Sequence, residues 1–200
     1  KEYEISCSDK KSINGKVDVP EKGPYGKPVT KLANNAFYKC TKITGVLLPD
    51  CITSIGDSVF EFCTALKRIE LSPYTKNIGY EMFAFCKSLT DVELPVSVTE
   101  IGSMAFLSSA IESLTIPHCV EKIDSSSVSY CENLIALNVD SDNVVYAGDG
   151  NCIIRKQDNA LIAGCSESVI PEYVRSIEGG AFSGCKNLQQ IDIPSGIKSI

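Results

Sequence analysis

Short triplets, most of them alternating apolar, polar and apolar, recur along the chain: Val17-Asp18-Val19, Val46-Leu47-Leu48, Ile69-Glu70-Leu71, Val92-Glu93-Leu94, Leu114-Thr115-Ile116, Leu137-Asn138-Val139, Ser168-Val169-Ile170 and Ile191-Asp192-Ile193. A period of two is the pattern of a half-buried strand. A proline follows directly in most copies, as at Pro20, Pro49, Pro95, Pro117, Pro171 and Pro194, with Pro73 displaced by one. Proline cannot donate a ladder hydrogen bond, so each one ends the pairing.

A second signal lies between the triplets. Ile55-Gly56 recurs at Ile78-Gly79 and Ile101-Gly102, with looser versions at Leu32-Ala33, Ile123-Asp124 and Ile177-Glu178. The steps are 23, 23, 23 and 22 residues, then 54, and a further start stands 23 residues on at Ile200. Five residues after each start comes Phe37, Phe60, Phe83, Phe106, Val128 or Phe182, and three later Cys40, Cys63, Cys86, Ser109, Cys131 or Cys185. An aliphatic column follows at Ile43, Leu66, Leu89, Ile111, Leu134 and Leu188. One strand and one tight turn cannot bury a core alone, but stacked copies can. The pattern therefore predicts an α/β repeat: a leucine-rich-repeat solenoid with a parallel β-sheet face of about eight rungs. At roughly 4.8 Å between neighbours such a sheet is about 35 Å long. The threefold spacing of Phe60, Cys63 and Leu66 predicts short helical or 3₁₀ turns opposite, started by Asp57 or Ser58.

Two stretches depart from the period. Residues 140–170 lack the Ile-Gly and Phe columns. There Cys152-Ile153-Ile154 and Ala160-Leu161-Ile162-Ala163 flank the polar Lys156-Gln157-Asp158-Asn159, which predicts one β-hairpin insertion. Residues 1–15 predict an N-terminal capping hairpin. The expected divisions are 1–31 (cap and first rung), 32–139 (regular repeats), 140–170 (irregular repeat) and 171–200 (regular repeat). The repeat start at Ile200 and the open sheet edge there predict that the array continues or is covered by a partner. Ser109 and Val128 break their columns, so looser packing is expected over 101–139.

The runs Ala36-Phe37-Tyr38-Lys39-Cys40 and Ala181-Phe182-Ser183-Gly184-Cys185 resemble the bacterial surface-antigen type of leucine-rich repeat, the BspA-like family, over nearly all of residues 16–200. Asn151-Cys152-Ile153-Ile154 and Asn159-Ala160-Leu161-Ile162-Ala163-Gly164-Cys165 resemble a variant unit of that family. The resemblance implies a cell-surface or secreted protein, with adhesion to host matrix or other microbes as the implied role.

Composition narrows the chemistry. A formal net charge of −6 on 200 residues, without Lys/Arg clusters, argues against nucleic acid and anionic membrane surfaces. No run of eighteen apolar residues and no apolar stretch after Lys1 points to a spanning helix or a secretory leader. Of the ten cysteines, five belong to the repeat column. Stacked neighbours would fall within disulfide range, but their side chains point one way, and small buried thiols are the favoured reading. Cys7, Cys51, Cys119, Cys152 and Cys165 lie outside the column. Cys51 and Cys119 stand three rungs apart, about 14 Å, too far to bridge, whereas a Cys152–Cys165 bond stays open. No Cys/His spacing suits zinc. The single histidine, His118, adjoins Cys119, yet neighbours in an extended segment point apart, which disfavours a nucleophile–base pair. Asp140-Ser141-Asp142-Asn143 with Gly148-Asp149-Gly150-Asn151 fails the calcium-loop register at Val144 and reads as a polar loop.

No catalytic set, cofactor or metal site is therefore expected. Function is expected at the outward strand positions: Arg68, Glu70, Asp91, Glu93, Ser113, Thr115, Asn138, Gln190 and Asp192. Proteins of the host matrix or of other microbial surfaces are the expected partners, with glycans as a second class. A structural spacer is the alternative role.

Overall fold

The computed structural model describes residues 3–200; residues 1 and 2, the start of the expected cap, lie outside the described residues. The chain winds as a solenoid of about six regular turns, with parallel strands on two sides and almost no helix.

The triplets supply the first side. β2 (Gly15–Asp18), β4 (Ile43–Leu47) and β6 (Arg68–Glu70) form one parallel ladder, and β9 (Ser113–Ile116) and β11 (Ala136–Val139) form another. Registers place Val17 beside Val46 and Val46 beside Ile69, all facing inward, and Leu114 beside Leu137 likewise. The expected strands at 92–94, 168–170 and 191–193 do not form, so the face is not one ladder of eight rungs. At 92–94 the neighbouring rungs carry Glu70, Asp91 and Glu93, and like charges side by side oppose close pairing. The spine persists regardless, since Val92 and Leu94 stay buried.

The second side comes from the Ile-Gly column. β1 (Tyr3–Ile5), β3 (Val29–Leu32) and β5 (Ser54–Ile55) pair in parallel, as do β7 (Asn77–Ile78), β8 (Glu100–Ile101) and β10 (Lys122–Ile123). The expected capping hairpin is absent from the described residues: β1 heads the second side and β2 the first, each pairing with the coil that follows it. Chain direction is the reason, because both segments run parallel to their counterparts in the next coil.

The Phe–Cys stretch is not helical. The one 3₁₀ turn among the described residues, Pro24–Gly26, lies outside it. Instead, consecutive tight turns run through each coil: Ala36 N bonds Ala33 O, Tyr38 N bonds Asn35 O, and Cys40 N bonds Phe37 O. The alternate amides reach the next coil, Asn35 N to Asp57 O, Phe37 N to Val59 O and Lys39 N to Glu61 O at 2.8–2.9 Å. Left-handed φ values flank each phenylalanine two residues either side, as at Ser58 (52°) and Phe62 (59°), and at Glu81 (51°) and Phe85 (59°). Those angles preclude a helix and turn every second amide outward along the stack.

The irregular stretch forms β12 (Tyr146–Asp149), β13 (Cys152–Arg155) and β14 (Ala160–Ala163), paired antiparallel in succession, and β14 joins β15 (Ser176–Ile177) in parallel. The turn ribbon bypasses it. Tyr130 N bonds Ser183 O at 2.8 Å, and Lys186 Nζ lies 2.7 Å from a Glu132 carboxylate oxygen, so two coils 54 residues apart in sequence stack directly.

Candidate functional site

The interior explains the repeat columns before any surface is considered. Phe37, Phe60, Phe83 and Phe106 stack with centroids 5.5, 5.7 and 5.5 Å apart and planes within 18° of one another. Three of the column thiols donate to the carbonyl of the previous coil's phenylalanine: Cys63 Sγ to Phe37 O at 3.1 Å, Cys86 Sγ to Phe60 O at 3.2 Å and Cys131 Sγ to Phe106 O at 3.0 Å, while Cys185 Sγ faces Gly164 O at 3.7 Å. Burial pushes the Cys63 thiol up to about 12 and Cys131 to about 11, so both remain protonated donors at neutral pH. Cys185, in the same column, is likewise pushed up to about 11 by burial. All ten cysteines are free. The expected looseness over 101–139 does not appear. Ser109 is buried with its hydroxyl 3.5 Å from Cys131 Sγ, Val128 is buried, and β9 and β11 pair over four residues.

The motif glycine has a steric cause. A Cβ on Gly56 would collide with Asn34 Oδ1, which caps the amide of Asp57 at 3.0 Å, and would stand 2.6 Å from Asn34 N. Asp57 repeats the device one coil on, accepting from Tyr80 N at 3.1 Å.

The other candidate chemistry is dispersed. His118 Nδ1 lies 3.4 Å from Asp140 Oδ2, on a half-exposed loop. Asn143 is buried and wholly engaged: its amide donates to Pro117 O and Val120 O, while its oxygen accepts from Val145 N and Tyr146 N. Asp149 accepts from the Tyr173 hydroxyl at 3.1 Å. Cys152 and Cys165 each face backbone carbonyls, Gly150 O at 3.5 Å and Asn151 O at 3.7 Å.

The strand face gathers most of the expected surface residues. Arg68, Glu70, Asp91 and Glu93 line one groove of about 600 Å³, floored by Ile69 and Leu71 and edged by Pro73 and Pro95. Asp91 and Glu93 also line a second groove of about 380 Å³ with Ser113, Thr115 and Asp140. Asn138 stands beside Thr115 on the ladder. Gln190 and Asp192 line a separate groove of about 600 Å³ with Val169 and Ile170, beyond the irregular stretch. Eight of the nine side chains are exposed and Ser113 is half-buried. Arg68 pairs loosely with Glu70 at 3.3 Å; Asp91 and Glu93 have no ion-pair partner among the described residues. Sequence reasoning placed these columns but missed the grooves between them.

Such an architecture defines a non-globular repeat module of the leucine-rich type, built to carry a long exposed face over one apolar spine. A family model of the BspA type leucine rich repeat region matches residues 26–148 and 162–200 in six copies, and the chain belongs to that family. The unmatched gap covers β13 and the turn after it. No curated protein sequence shows significant similarity. Among solved structures, a leucine-rich repeat protein of Eubacterium ventriosum superposes with a TM-score of 0.80 at 28% identity, covering 96% of this chain and 50% of the other. A leucine rich cell surface protein of Faecalibacterium prausnitzii gives 0.66 at 26% identity, over 92% and 64%. The T. pallidum leucine rich repeat protein gives 0.67 at 26% identity, over 98% and 76%. The chain thus spans about half the length of the E. ventriosum relative. The fold is one of binding or scaffold modules, and no enzyme family is indicated. No helix among the described residues is long and apolar enough to cross a membrane.

Proposed function

We propose that this chain is a non-catalytic binding module of a cell-surface protein, which adheres to host or microbial proteins through the strand face. The observation that carries this reading is the pair of adjoining grooves around Asp91 and Glu93, where exposed carboxylates without ion-pair partners stand over an apolar floor. Such a surface favours partners with basic patches, and its charge raises the rate of encounter more than the final affinity. The surface location draws on the F. prausnitzii relative, itself a leucine rich cell surface protein. In this reading the array comprises eight coils, with residues 140–170 as a modified coil whose hairpin is an insertion, between a regular block at 32–139 and another at 171–200, and with a cap and first rung at 1–31. Gln190 and Asp192 extend the face beyond that coil.

The test is binding of the chain to immobilised extracellular-matrix proteins and to microbial surface extracts. Replacing Glu70, Asp91, Glu93 and Asp192 by their amides is expected to weaken binding on the order of 10-fold, most strongly at low salt. Unchanged binding to every ligand would overturn the assignment of this face. A chain that binds none of them favours the second reading, a stiff spacer displaying another domain, which rests on the continuous hydrogen-bonded stacking of the coils.

A further inference from the structure

Residues 91–94 have the side-chain alternation of a strand and the hydrogen bonding of none. Asp91 and Glu93 are exposed, while Val92 and Leu94 turn inward and are buried. Yet β6 pairs only with β4, and β9 only with β11. No amide or carbonyl of Asp91, Val92, Glu93 or Leu94 has a hydrogen-bond partner among the described residues. The coil is held on either side of them. Thr90 O accepts from Glu112 N at 2.9 Å, and Val98 N bonds Pro95 O at 3.0 Å. The main chain of residues 190–193 is also unbonded, but there Ile191 is half-buried and Ile193 exposed, so its hold on the spine is weaker.

The groove of about 380 Å³ beside the segment is lined by Asp91, Val92, Glu93 and Leu94 on one wall and by Ser113 and Thr115 of β9 on the other, with Asp140 at its edge. Because Val92 and Leu94 direct their side chains into the core, what they offer this groove is main chain. Three carboxylates therefore surround open peptide groups, and no Lys or Arg lines the groove.

We infer that this groove takes an extended segment of a partner protein, which pairs main chain to main chain with residues 91–94 and carries Lys or Arg at every second position. An unpaired strand edge is a template for another strand. Side chains directly opposite on paired strands lie about 4.5–5.5 Å apart, so the basic residues stand beside Asp91 and Glu93, whose own neighbour on β6 is the like-charged Glu70. The intervening residues of the segment face the groove floor and are apolar. The inference rests on the strand face being the binding surface and specifies how it binds: charge selects the segment, and main-chain hydrogen bonds hold it.

The experiment follows the labelled peptide Lys-Val-Lys-Val-Lys by fluorescence anisotropy as the full chain is added. Two further peptides are N-methylated, one on its lysine amides and one on its valine amides, which removes donors and keeps every side-chain charge. At least one of them is expected to bind about 10-fold more weakly than the parent, as for one hydrogen bond lost. Asp91→Asn with Glu93→Gln is expected to weaken the parent peptide by a similar factor. In hydrogen exchange read by NMR, the amides of residues 91–94 are expected to exchange fast in the free chain and to slow when the peptide binds. Equal binding of all three peptides would overturn strand pairing and leave an acidic binding face in place. So would amides at 91–94 that are already protected in the free chain. A chain that binds matrix proteins but not the parent peptide sinks the inference alone, and one that binds neither sinks the proposed function with it.

Discussion

Gly56 and the column cysteines show how single side chains are set by the coil beside them. At Gly56 the clash involves the Asn34 main chain as well as its side chain. Gly56→Ala is therefore expected to cost about 1–3 kcal/mol, measured by urea unfolding, and Asn34→Ala is not expected to restore it. The thiols make a pH prediction whose sign follows from their shift. The Cys63 thiol is raised from an ordinary 9.0 to about 12, so the unfolded chain releases its protons first as pH rises. The stabilisation is complete below about pH 9 and is lost between about pH 9 and pH 12, on the order of 1 kcal/mol per pH unit for each buried thiol. Unfolding midpoints that stay level from pH 8 to pH 11 would contradict it. Substitution of Cys63 and Cys131 by Ser, the residue already tolerated at position 109, is expected to flatten the dependence.

Elements here are turns and ladders that are incomplete without their neighbours. The phenylalanine stack is the largest apolar contribution shared between coils. Phe83→Ala, with rings on both sides, is expected to cost about 3–5 kcal/mol. Phe62 stacks on Phe85 at 4.4 Å in an outer row that is only half-buried. Its alanine variant is expected to cost about 1–2 kcal/mol, and the two are separated by denaturant titration. The loop entering β12 depends on Asn143 in the same way that a sheet depends on its ladder. Asn143→Ala leaves two buried carbonyls and two amides without their partner and is expected to cost about 2–4 kcal/mol. In hydrogen exchange the amides of Val145 and Tyr146 are expected to lose protection first.

Stacking makes stability of the assembled solenoid a sum over neighbouring interfaces, so protection need not be uniform along it. Phe60, Cys63 and Leu66 are fully buried, whereas their counterparts Phe182, Cys185 and Leu188 are half-exposed, and Ile193 is 47% exposed. Native-state hydrogen exchange of the 200-residue chain is expected to be slowest over coils 55–116 and fastest over residues 182–200. Equal protection across both would mean that the array unfolds as one cooperative unit.

The repeat length, the buried columns, the prolines that close the triplets and the outward positions beside them were all legible in the sequence, because each is a local pattern repeated often enough to outweigh chance. Val17, Val46 and Ile69 face inward simply because strand periodicity and burial agree. The tertiary structure decided the rest. A threefold spacing such as Phe60-Cys63-Leu66 suits any chain of i to i+3 bonds, and 3₁₀ turns and consecutive tight turns share them. Which one forms depends on where the alternate amides go, and here they find carbonyls of the next coil, which no single unit contains. The acidic groove likewise exists only when stacking brings Glu70, Asp91 and Glu93 from two coils to one surface.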